Sequence, residues 1–332
     1  MASKQSLKHA TFFISTGRCG TQWFAEKLST HYHDLAVVRH EPFQVEYAPR
    51  FYFAEYHRKK LVDVSHAIEN HLAFIRDTIQ DLHYIETGWP VYGVLPLILS
   101  RFEGRVRVVH LYRHPLKVAA SLATHKVYGR GEWSEAVSIS PSDYGVVQSY
   151  LAGARWNSMS EFEKCLFWST EVNHFAVCLK QNFSNIPWLS IKFEDVFSNS
   201  GKGELGKLLN FLSLPERRGF FKSAIEKTDK YSLTLDDKLK IHSFEKYPKA
   251  VEQMKQFGYQ YDALIDLEVR RRYVEHNNGN RKEVSRGLHR HDVTLIWVIA
   301  DLLANCLRLG ISRIFGYLKR STKPRGASIG PT

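Results

Sequence analysis

The sequence predicts an α/β fold: a mainly parallel central sheet flanked by helices, followed by an amphipathic C-terminal helix. Four short, largely apolar runs, at residues 11–16, 35–39, 105–112 and 188–193, are typical of strands that are buried on both faces. Segments with helical periodicity alternate with these runs, and the alternation favours right-handed crossovers within one parallel sheet. The chain has 332 residues, which is enough for one large domain and an appendage.

The first strand leads into a loop that contains two glycines. Residues 11–23 read T-F-F-I-S-T-G-R-C-G-T-Q-W, so an apolar strand ends at Gly17 and a helix begins after Gly20. Such a loop can bind an anion, because main-chain N–H groups and the helix dipole point at the ligand. Arg18 adds a fork of hydrogen-bond donors, and Thr21 adds a hydroxyl. A tight turn without a ligand is the alternative, since the spacing differs from that of nucleoside-triphosphate loops.

The strand over residues 105–112 carries a second polar motif at its end. Arg113, His114 and Pro115 follow it, and Pro115 suits the first turn of a helix that His114 caps. Ser121 falls on the second turn of that helix. Because ligands of open α/β sheets bind at the carboxyl ends of strands, we expect this motif to join the glycine loop in one site.

Together the two motifs resemble the cofactor signatures of the sulfotransferases that use 3′-phosphoadenosine 5′-phosphosulfate (PAPS). The family's first signature runs roughly P-K/R-S/T-G-T-T-W, and residues 17–23 read G-R-C-G-T-Q-W. The second runs R-x-P-x5-S, which Arg113, Pro115 and Ser121 match. The resemblance implies a P-loop-like sulfotransferase fold.

A third likeness lies further along the chain. Residues 191–196 (I-K-F-E-D-V) and 208–215 (L-L-N-F-L-S-L-P) resemble a stretch near the end of the family's catalytic domain. The three likenesses follow the family's order and cover about residues 8–220. Gly17, Cys19 and Gln22 depart from the first signature; Cys19 leaves one expected hydroxyl contact in doubt.

The resemblance implies roles for the residues of both motifs. Arg18 would contact the 5′-phosphate and the bridging oxygen, main-chain N–H groups after Cys19 would hold the same phosphate, Trp23 would stack near adenine, and Arg113 with Ser121 would bind the 3′-phosphate. The product would be 3′,5′-adenosine bisphosphate, and the scheme requires no metal. The cofactor-binding residues predicted in this way are Gly17, Arg18, Cys19, Gly20, Thr21, Gln22, Trp23, Arg113 and Ser121.

The catalytic base is expected at the end of the second strand. Family members that sulfate sugars often carry a Glu there, and in several it takes the proton from the acceptor hydroxyl. Here the strand ends in His40, Glu41 and Pro42, so Glu41 is the predicted base. His40 and Glu46 are the alternatives. Glu41 would otherwise pair with a nearby arginine and only shape the pocket.

The acceptor predicted from this setting is a hydroxyl on a carbohydrate or a glycolipid, or on another small molecule. Arg18 and the Glu41-Pro42 pair favour the carbohydrate because sugar-modifying members of the family often have them. The aromatic segment 49–60 either lines the acceptor pocket, since sugars stack on aromatic faces, or packs in the core.

The other elements follow from periodicity and capping residues. Trp156, Trp168 and Asn173 face either the cofactor or the core, with the core favoured for both tryptophans. Arg217 and Arg218 are candidates to lie near the cofactor. The predicted elements are a helix over 65–83 capped by Ser65, a strand leading into a helix over 89–99, a helix over 115–126, a surface loop over 128–143 near the acceptor, and helices over 159–181 and 204–212.

The basic charge is concentrated near the C-terminal end. The formal net charge is +12, and residues 270–332 contain 13 Lys or Arg against 4 Asp or Glu. A basic surface that reads nucleic acid needs a recognition motif on a folded segment, and none is present in the sequence. We therefore expect a catalytic domain over 1–268, a basic linker with an amphipathic helix over 269–332, and no nucleic-acid partner.

Residues 293–318 are strongly apolar but carry Asp301, Asn305, Arg308 and Ser312 on one stripe. Charges in mid-span disfavour a transmembrane helix. A broad apolar face with flanking basic residues suits a helix that lies at a lipid interface. Docking of this helix on the catalytic domain, or on a second copy of the chain in a homodimer, is the alternative.

The cysteines and the N-terminal residues bear on the cellular location. The four cysteines show no metal-ligand spacing, so free thiols in a reducing compartment are expected. Residues 1–8 contain no apolar signal segment. The expectation is a cytoplasmic protein, with peripheral contact at the inner face of the membrane through residues 293–318.

Two functions of other classes stay open. A P-loop nucleotide kinase would need an Asp at a strand end to hold Mg²⁺, whereas the strand over 105–112 is followed by Arg113. A non-catalytic, membrane-associated module with the same fold is the second alternative. Arg18, Arg113 and Ser121 argue against that module because it would have no use for a complete anion site.

Overall fold

A computed structural model describes most of the first 259 residues: 7–60, 63–102, 104–129, 132–141, 143, 156–198, 201–225 and 248–259. The predicted domain boundary at residue 268, the basic linker and the helix over 293–318 lie outside the described residues. Among the helices within these ranges, none is long and apolar enough to cross a bilayer.

The described chain forms one five-stranded sheet in which all neighbouring strands are parallel, as predicted. The strand order is β2-β3-β1-β4-β5, and every residue of the central strand β1 is buried. The strands are β1 (Ala10–Ile14), β2 (Ala36–His40), β3 (His83–Thr87), β4 (Val106–Tyr112) and β5 (Trp188–Lys192).

Helices cover the sheet and connect its strands. The first begins at Thr21, where the glycine loop ends, and the longest packs on the helix that follows β4. The helices are α1 (Thr21–Tyr32), α2 (Pro49–His57), α3 (His66–Asp81), α4 (Leu95–Arg101), α5 (Pro115–Thr124), α6 (Glu132–Val137), α7 (Glu161–Asn182), α8 (Phe193–Val196), α9 (Lys202–Phe211), α10 (Arg218–Ile225) and α11 (Pro248–Gln256).

Capping residues fix where several of these helices begin. The Ser65 hydroxyl accepts a hydrogen bond from the N–H of Ile68 at the start of α3, as predicted. The His114 side chain accepts one from the N–H of Leu116 at the start of α5. Ser160 forms a full capping box with Glu163 at the start of α7. Each cap satisfies an N–H group that has no partner within its helix.

The prediction of a strand beginning at residue 89 is wrong. The strand is β3, at His83–Thr87, and residues Pro90–Tyr92 form a 3₁₀ turn before α4. The sequence H-Y-I-E-T contains two ionisable residues and does not read as a buried strand, yet all five residues are buried. Pro90 also disfavours a central strand, because it has no N–H for the ladder.

The prediction of a surface loop over residues 128–143 is wrong in part. The segment contains α6, and Ser138, Ser140 and Asp143 are buried. The Arg50 Nε donates hydrogen bonds of 2.9 and 3.0 Å to the two Asp143 carboxylate oxygens. The N–H of Ser140 donates to the same carboxylate at 2.6 Å. These bonds hold the segment against α2, where apolar periodicity alone gives no signal.

The carboxylate of Glu86 in β3 is hydrogen-bonded within a buried polar cluster. Glu86 is 1% exposed; its carboxylate accepts hydrogen bonds from the Tyr84 hydroxyl at 2.7 Å and the Tyr47 hydroxyl at 2.9 Å. His71 Nε2 lies 3.3 Å away. A buried carboxylate is tolerated only when such partners replace water, and here the partners tie β3 to the turn that contains Tyr47.

Replacing Tyr47 with Phe should lower the free energy of unfolding by about 1–3 kcal/mol, because the buried Glu86 carboxylate loses a hydrogen-bond donor. Urea denaturation followed by circular dichroism measures this. Tyr56→Phe is the matched control, since the Tyr56 hydroxyl accepts its hydrogen bond from Asn182 at the surface, and its effect should stay within about 0.5 kcal/mol. Equal losses in the two variants would contradict the described role of the cluster.

Candidate active site

The candidate site lies at the carboxyl ends of β1 and β4, where the chain changes direction across the sheet. From β1 the chain crosses by way of α1 to β2 at one edge, whereas from β4 it continues to β5 at the other edge. The loops after two such neighbouring strands lead apart and leave a crevice between them, which is where open α/β sheets bind ligands.

The loop after β1 has the backbone of an anion cradle. Gly17, Arg18 and Gly20 all have positive φ, at 75°, 57° and 83°, so the backbone of the loop is left-handed at three of its four positions before α1. Gly20 is the N-cap of α1, and no side chain caps the helix there. The first N–H groups of α1 have no partner within the helix. An added Cβ at Gly17 would lie 3.1 Å from Trp89.

The two sequence motifs meet through Arg18. Its Nε donates a 2.9 Å hydrogen bond to the hydroxyl of Ser121 on α5. The carbonyl of Arg18 accepts a 2.9 Å hydrogen bond from a terminal guanidinium nitrogen of Arg113. The Arg113 guanidinium also lies over the ring of Phe193, 4.4 Å from its centre. Two guanidinium groups and one hydroxyl thus converge beside the N-terminus of α1.

The third sequence likeness reaches the same edge of the sheet. Glu194, at the start of α8, accepts a 3.0 Å hydrogen bond from the main-chain N–H of His114. Its other carboxylate oxygen accepts one of 2.7 Å from the hydroxyl of Tyr259. Glu194 therefore fixes the segment that places Arg113, rather than facing the crevice as a reactive group.

Glu41 lies beyond β3 at the end of β2. Its φ is 48°, and its N–H donates a 3.1 Å hydrogen bond to the carbonyl of Thr87. Burial raises the pKa of the Glu41 carboxyl, while His40, the N–H of Trp89 and the charge of Arg18 act in the opposite direction. A carboxyl group with a raised pKa is a better proton acceptor near neutral pH than an ordinary glutamate.

The two alternative bases are placed differently. His40 Nδ1 lies 2.8 Å from the carbonyl of Thr87, so it donates there, and Nε2 lies 3.7 Å from Glu41. His40 can therefore orient and charge-balance the Glu41 carboxylate. Glu46 is exposed on the 3₁₀ turn Gln44–Tyr47.

Some of the predicted cofactor-binding residues contact other parts of the protein. Cys19 is fully buried, its sulfur donates to the carbonyl of Gly17 at 3.2 Å, and burial raises its pKa to about 11. Its thiol supports the loop from inside. Thr21 is buried and Gln22 is exposed. Trp23 packs edge-on against Phe197 at 4.9 Å between ring centres.

Residues expected near the cofactor on weaker grounds lie elsewhere. Arg217 donates hydrogen bonds to the carboxylate of Asp34 at 2.9 and 2.7 Å and to the carbonyl of His31, at the C-terminal end of α1. Trp156 packs against Tyr128 and Phe167, and Asn173 is buried, 3.0 Å from His110. Arg217 is thus a full helix length from the glycine loop.

A cavity of about 300 Å³ adjoins the glycine loop. The indole N–H of Trp168 donates a 3.1 Å hydrogen bond to the carbonyl of Thr16, so this buried side chain supports the loop and forms one wall. The lining residues are Thr16, Gly17, Arg18, Trp89, Leu122, His125, Val127 and Trp168.

Sequence reasoning missed Gly88, Trp89 and His125. Gly88 and Trp89 follow β3, so the misplaced strand hid their position at the carboxyl edge. His125 follows Ser121 by one helical turn, a spacing that could have placed it on the same side of α5. Within the described ranges, no group of three or more His, Cys, Asp or Glu side chains is arranged to hold a metal ion.

Residues 8–259 match the protein family described as "Sulfotransferase domain", which includes both polar loops. One similar solved structure is the sulfotransferase domain from the curacin biosynthetic pathway, at 15% identity and a TM-score of 0.42, over 77% of this chain and 99% of that chain. No curated protein sequence is significantly similar to the chain.

Two other solved structures are similar at comparable levels. The sulfotransferase domain from the Synechococcus PCC 7002 olefin synthase has 13% identity and a TM-score of 0.38, over 77% of this chain and 96% of that chain. Mouse sulfotransferase SULT7A1 complexed with PAP has 12% identity and a TM-score of 0.37, over 66% of this chain and 63% of that chain.

Replacing Gly88 with Ala should disturb Glu41, because an added Cβ would lie 2.5 Å from the Glu41 Cγ. We expect the free energy of unfolding to fall by about 1–3 kcal/mol, the range for overpacking, in urea denaturation. Gly203→Ala is the control, because Gly203 is exposed near the start of α9 and an added Cβ there would meet nothing within 4 Å. The control should be neutral or slightly stabilising; a neutral Gly88→Ala would contradict the contact.

Proposed function

The chain belongs to the sulfotransferase domain family, and we propose that it transfers a sulfuryl group from PAPS to the hydroxyl of an acceptor. The observation that carries the proposal is the convergence of Arg18, Arg113 and Ser121 at the N-terminus of α1. Two guanidinium groups and a hydroxyl brought together in this way suit a polyanionic ligand, such as a nucleotide phosphorylated at both the 3′ and the 5′ positions.

The residues present fit the sulfuryl donor. The positive-φ loop and the uncapped start of α1 would hold the 5′-phosphate through main-chain N–H groups. Arg18 would add a charge-assisted contact to that phosphate. Arg113 and Ser121 would hold the 3′-phosphate, since a guanidinium matches phosphate oxygens in two-point contacts.

Arg18 and Glu41 would have separate roles in the transfer reaction. When PAPS is bound, it supplies a sulfur that bonds to the acceptor oxygen as its bond to the bridging oxygen breaks and the electron pair leaves with the 5′-phosphate. Arg18 would stabilise the charge that develops on that phosphate, and Glu41 would take the proton of the acceptor hydroxyl. Positioning and charge stabilisation would supply most of the rate enhancement, as in phosphoryl transfer.

His40 would support Glu41 as a positioning residue. Its Nε2 faces the Glu41 carboxylate at 3.7 Å, while its Nδ1 is held by Thr87. A protonated His40 would lower the pKa of Glu41, in the direction of its coulombic effect.

Other features expected from the sequence stay predictions. A carbohydrate or glycolipid acceptor, a cytoplasmic location, a homodimer and peripheral membrane contact through residues 293–318 are tested by none of the described contacts. The last two involve residues outside the described ranges.

Binding of the nucleotide tests the sulfuryl-donor site. In calorimetric titrations, 3′,5′-adenosine bisphosphate should bind at least ~10-fold more tightly than 5′-AMP or ATP, and Arg113→Ala should weaken it by about 10- to 100-fold, as expected for the loss of a charged hydrogen bond of about 1.5–3 kcal/mol. Arg217→Ala is the control, because it removes a cation at the other end of α1, and it should leave the affinity unchanged.

A preference for ATP would instead favour the nucleotide kinase. An absence of binding by all three nucleotides would favour a non-catalytic module with this fold. Either result would overturn the proposed function.

The role of Glu41 is testable through the pH dependence of transfer from PAPS to the best acceptor in a mixed panel of phenols, alcohols and sugars. A general base works only when deprotonated, so kcat/KM should rise with pH, with its midpoint above the ordinary glutamate pKa of about 4.3 because burial raises the Glu41 pKa. Glu41→Gln should lower kcat/KM by about 10²- to 10⁴-fold.

Glu46→Gln is the matched control for this prediction. Glu46 is exposed five residues further on, so its removal should leave both kcat/KM and the pH midpoint unchanged. An equal loss in the Glu46 variant, or full activity in Glu41→Gln, would remove Glu41 from the mechanism.

A further inference from the structure

We propose that the cavity beside Arg18 is the acceptor pocket and that it takes a hydroxyl group carried on an apolar, ring-sized body, such as a phenol. This inference rests on the proposed function and names its substrate class. It departs from the carbohydrate acceptor that the sequence favours, and it is carried by the chemistry of the cavity walls.

Carbon surfaces form most of the cavity wall. Trp89, Trp168, Leu122 and Val127 line it, and the two indoles meet edge to face with ring centres 5.4 Å apart. Such surfaces are suited to a flat apolar ring, which gains by leaving water and by edge or face contacts with the indoles.

The polar atoms of the deeper wall are already used within the protein. The Trp168 N–H donates to the carbonyl of Thr16, and the Thr16 hydroxyl donates to the carbonyl of Gly17. Thr16 and Trp168 are each 1% exposed. These two residues therefore present little hydrogen-bonding capacity to a ligand, although both border the cavity.

The cavity has its arginine on the side that faces the reaction. Arg18 lines it and belongs to the loop that would hold the donor phosphate. Trp89, which forms another part of the wall, donates its main-chain N–H to the Glu41 carboxylate. A ring seated on the indoles could thus direct one hydroxyl toward Arg18 and Glu41 while its remaining surface stays on carbon.

A sugar fits this arrangement poorly. A pyranose carries hydroxyls around its whole edge, and each hydroxyl that leaves water without a partner is penalised. Besides Arg18, Thr16 and Trp168, the lining side chains with hydrogen-bonding groups are His125, which is exposed, and Trp89, whose indole carries a single N–H donor. A volume of about 300 Å³ is at the small end of ligand pockets, which suits one ring or a fused pair.

The cavity shares only part of its wall with the residues assigned to the nucleotide. Gly17 and Arg18 of the glycine loop are common to both places. Arg113, Ser121 and Trp23 are absent from the part of the wall that the described residues form. A transferred group held at Arg18 would therefore lie between the nucleotide on one side and the acceptor on the other, the order that an in-line transfer requires.

The test is calorimetric titration of the full chain, saturated with 3′,5′-adenosine bisphosphate, with 2-naphthol and with methyl α-glucoside. We expect 2-naphthol to bind at least ~10-fold more tightly than the glucoside. Leu122→Phe, which fills the cavity, should weaken 2-naphthol binding at least ~10-fold while the affinity for the bisphosphate stays unchanged. His125→Trp narrows the exposed side of the cavity and should also weaken 2-naphthol binding. This second variant serves as the test if Leu122→Phe does not fold.

The outcomes separate this inference from the proposed function. Equal or tighter binding of the glucoside overturns the apolar acceptor in favour of a carbohydrate. Binding of 2-naphthol that neither variant alters places the acceptor elsewhere and overturns the pocket. No binding of 2-naphthol, with the bisphosphate bound, overturns the inference alone. No binding of the bisphosphate to the wild-type chain overturns the proposed function, and this inference with it.

Discussion

Arg18 connects the two halves of the candidate site, and the other functional positions depend on that connection. Its side chain donates to Ser121 on α5, and its carbonyl accepts from Arg113 at the end of β4. Both partners belong to the strand–helix unit that crosses the sheet away from the glycine loop. The bonds bring two arginines to the N-terminus of α1, where their charges would stabilise a bound anion.

The left-handed backbone of the glycine loop makes this connection geometrically feasible. Positive φ at Gly17, Arg18 and Gly20 reverses the chain between β1 and α1, so that the Arg18 carbonyl faces Arg113 while the helix N-terminus stays uncovered. Buried groups support the loop from below: the Cys19 thiol, the Thr16 hydroxyl and the Trp168 indole. The positively charged cradle is therefore built on a rigid, apolar base, which is how a binding site is pre-organised for its ligand.

Much of this arrangement could be predicted from the sequence because it depends on local signals. Gly17, Gly20, Pro115 and Ser121 follow apolar runs at fixed spacing, and parallel strands carry such motifs to one edge of the sheet. The start of α1 at Thr21 and the caps at Ser65 and His114 are confirmed for the same reason.

The rest depends on contacts between distant residues. The strand β3 escaped prediction because its Glu86 is buried, and the carboxylate is stabilised there by hydrogen bonds from the hydroxyls of Tyr84 in the same strand and of the distant Tyr47. Because the strand was predicted to begin at residue 89, Gly88 and Trp89 were not expected at the carboxyl edge of the sheet, and part of the cavity wall was missed. Periodicity likewise could not show that Arg50 would fold the segment around Asp143 onto α2, or that Arg217 would bind Asp34 rather than a phosphate.

A crystal structure of the full chain with 3′,5′-adenosine bisphosphate tests the central claim most directly, since that claim is that the loops after β1 and β4 form a single nucleotide site. The account predicts the 5′-phosphate on the main-chain N–H groups at the start of α1 and against Arg18, and the 3′-phosphate on Arg113 and Ser121. A nucleotide bound with its 3′-phosphate away from Arg113, or bound at another edge of the sheet, would contradict it.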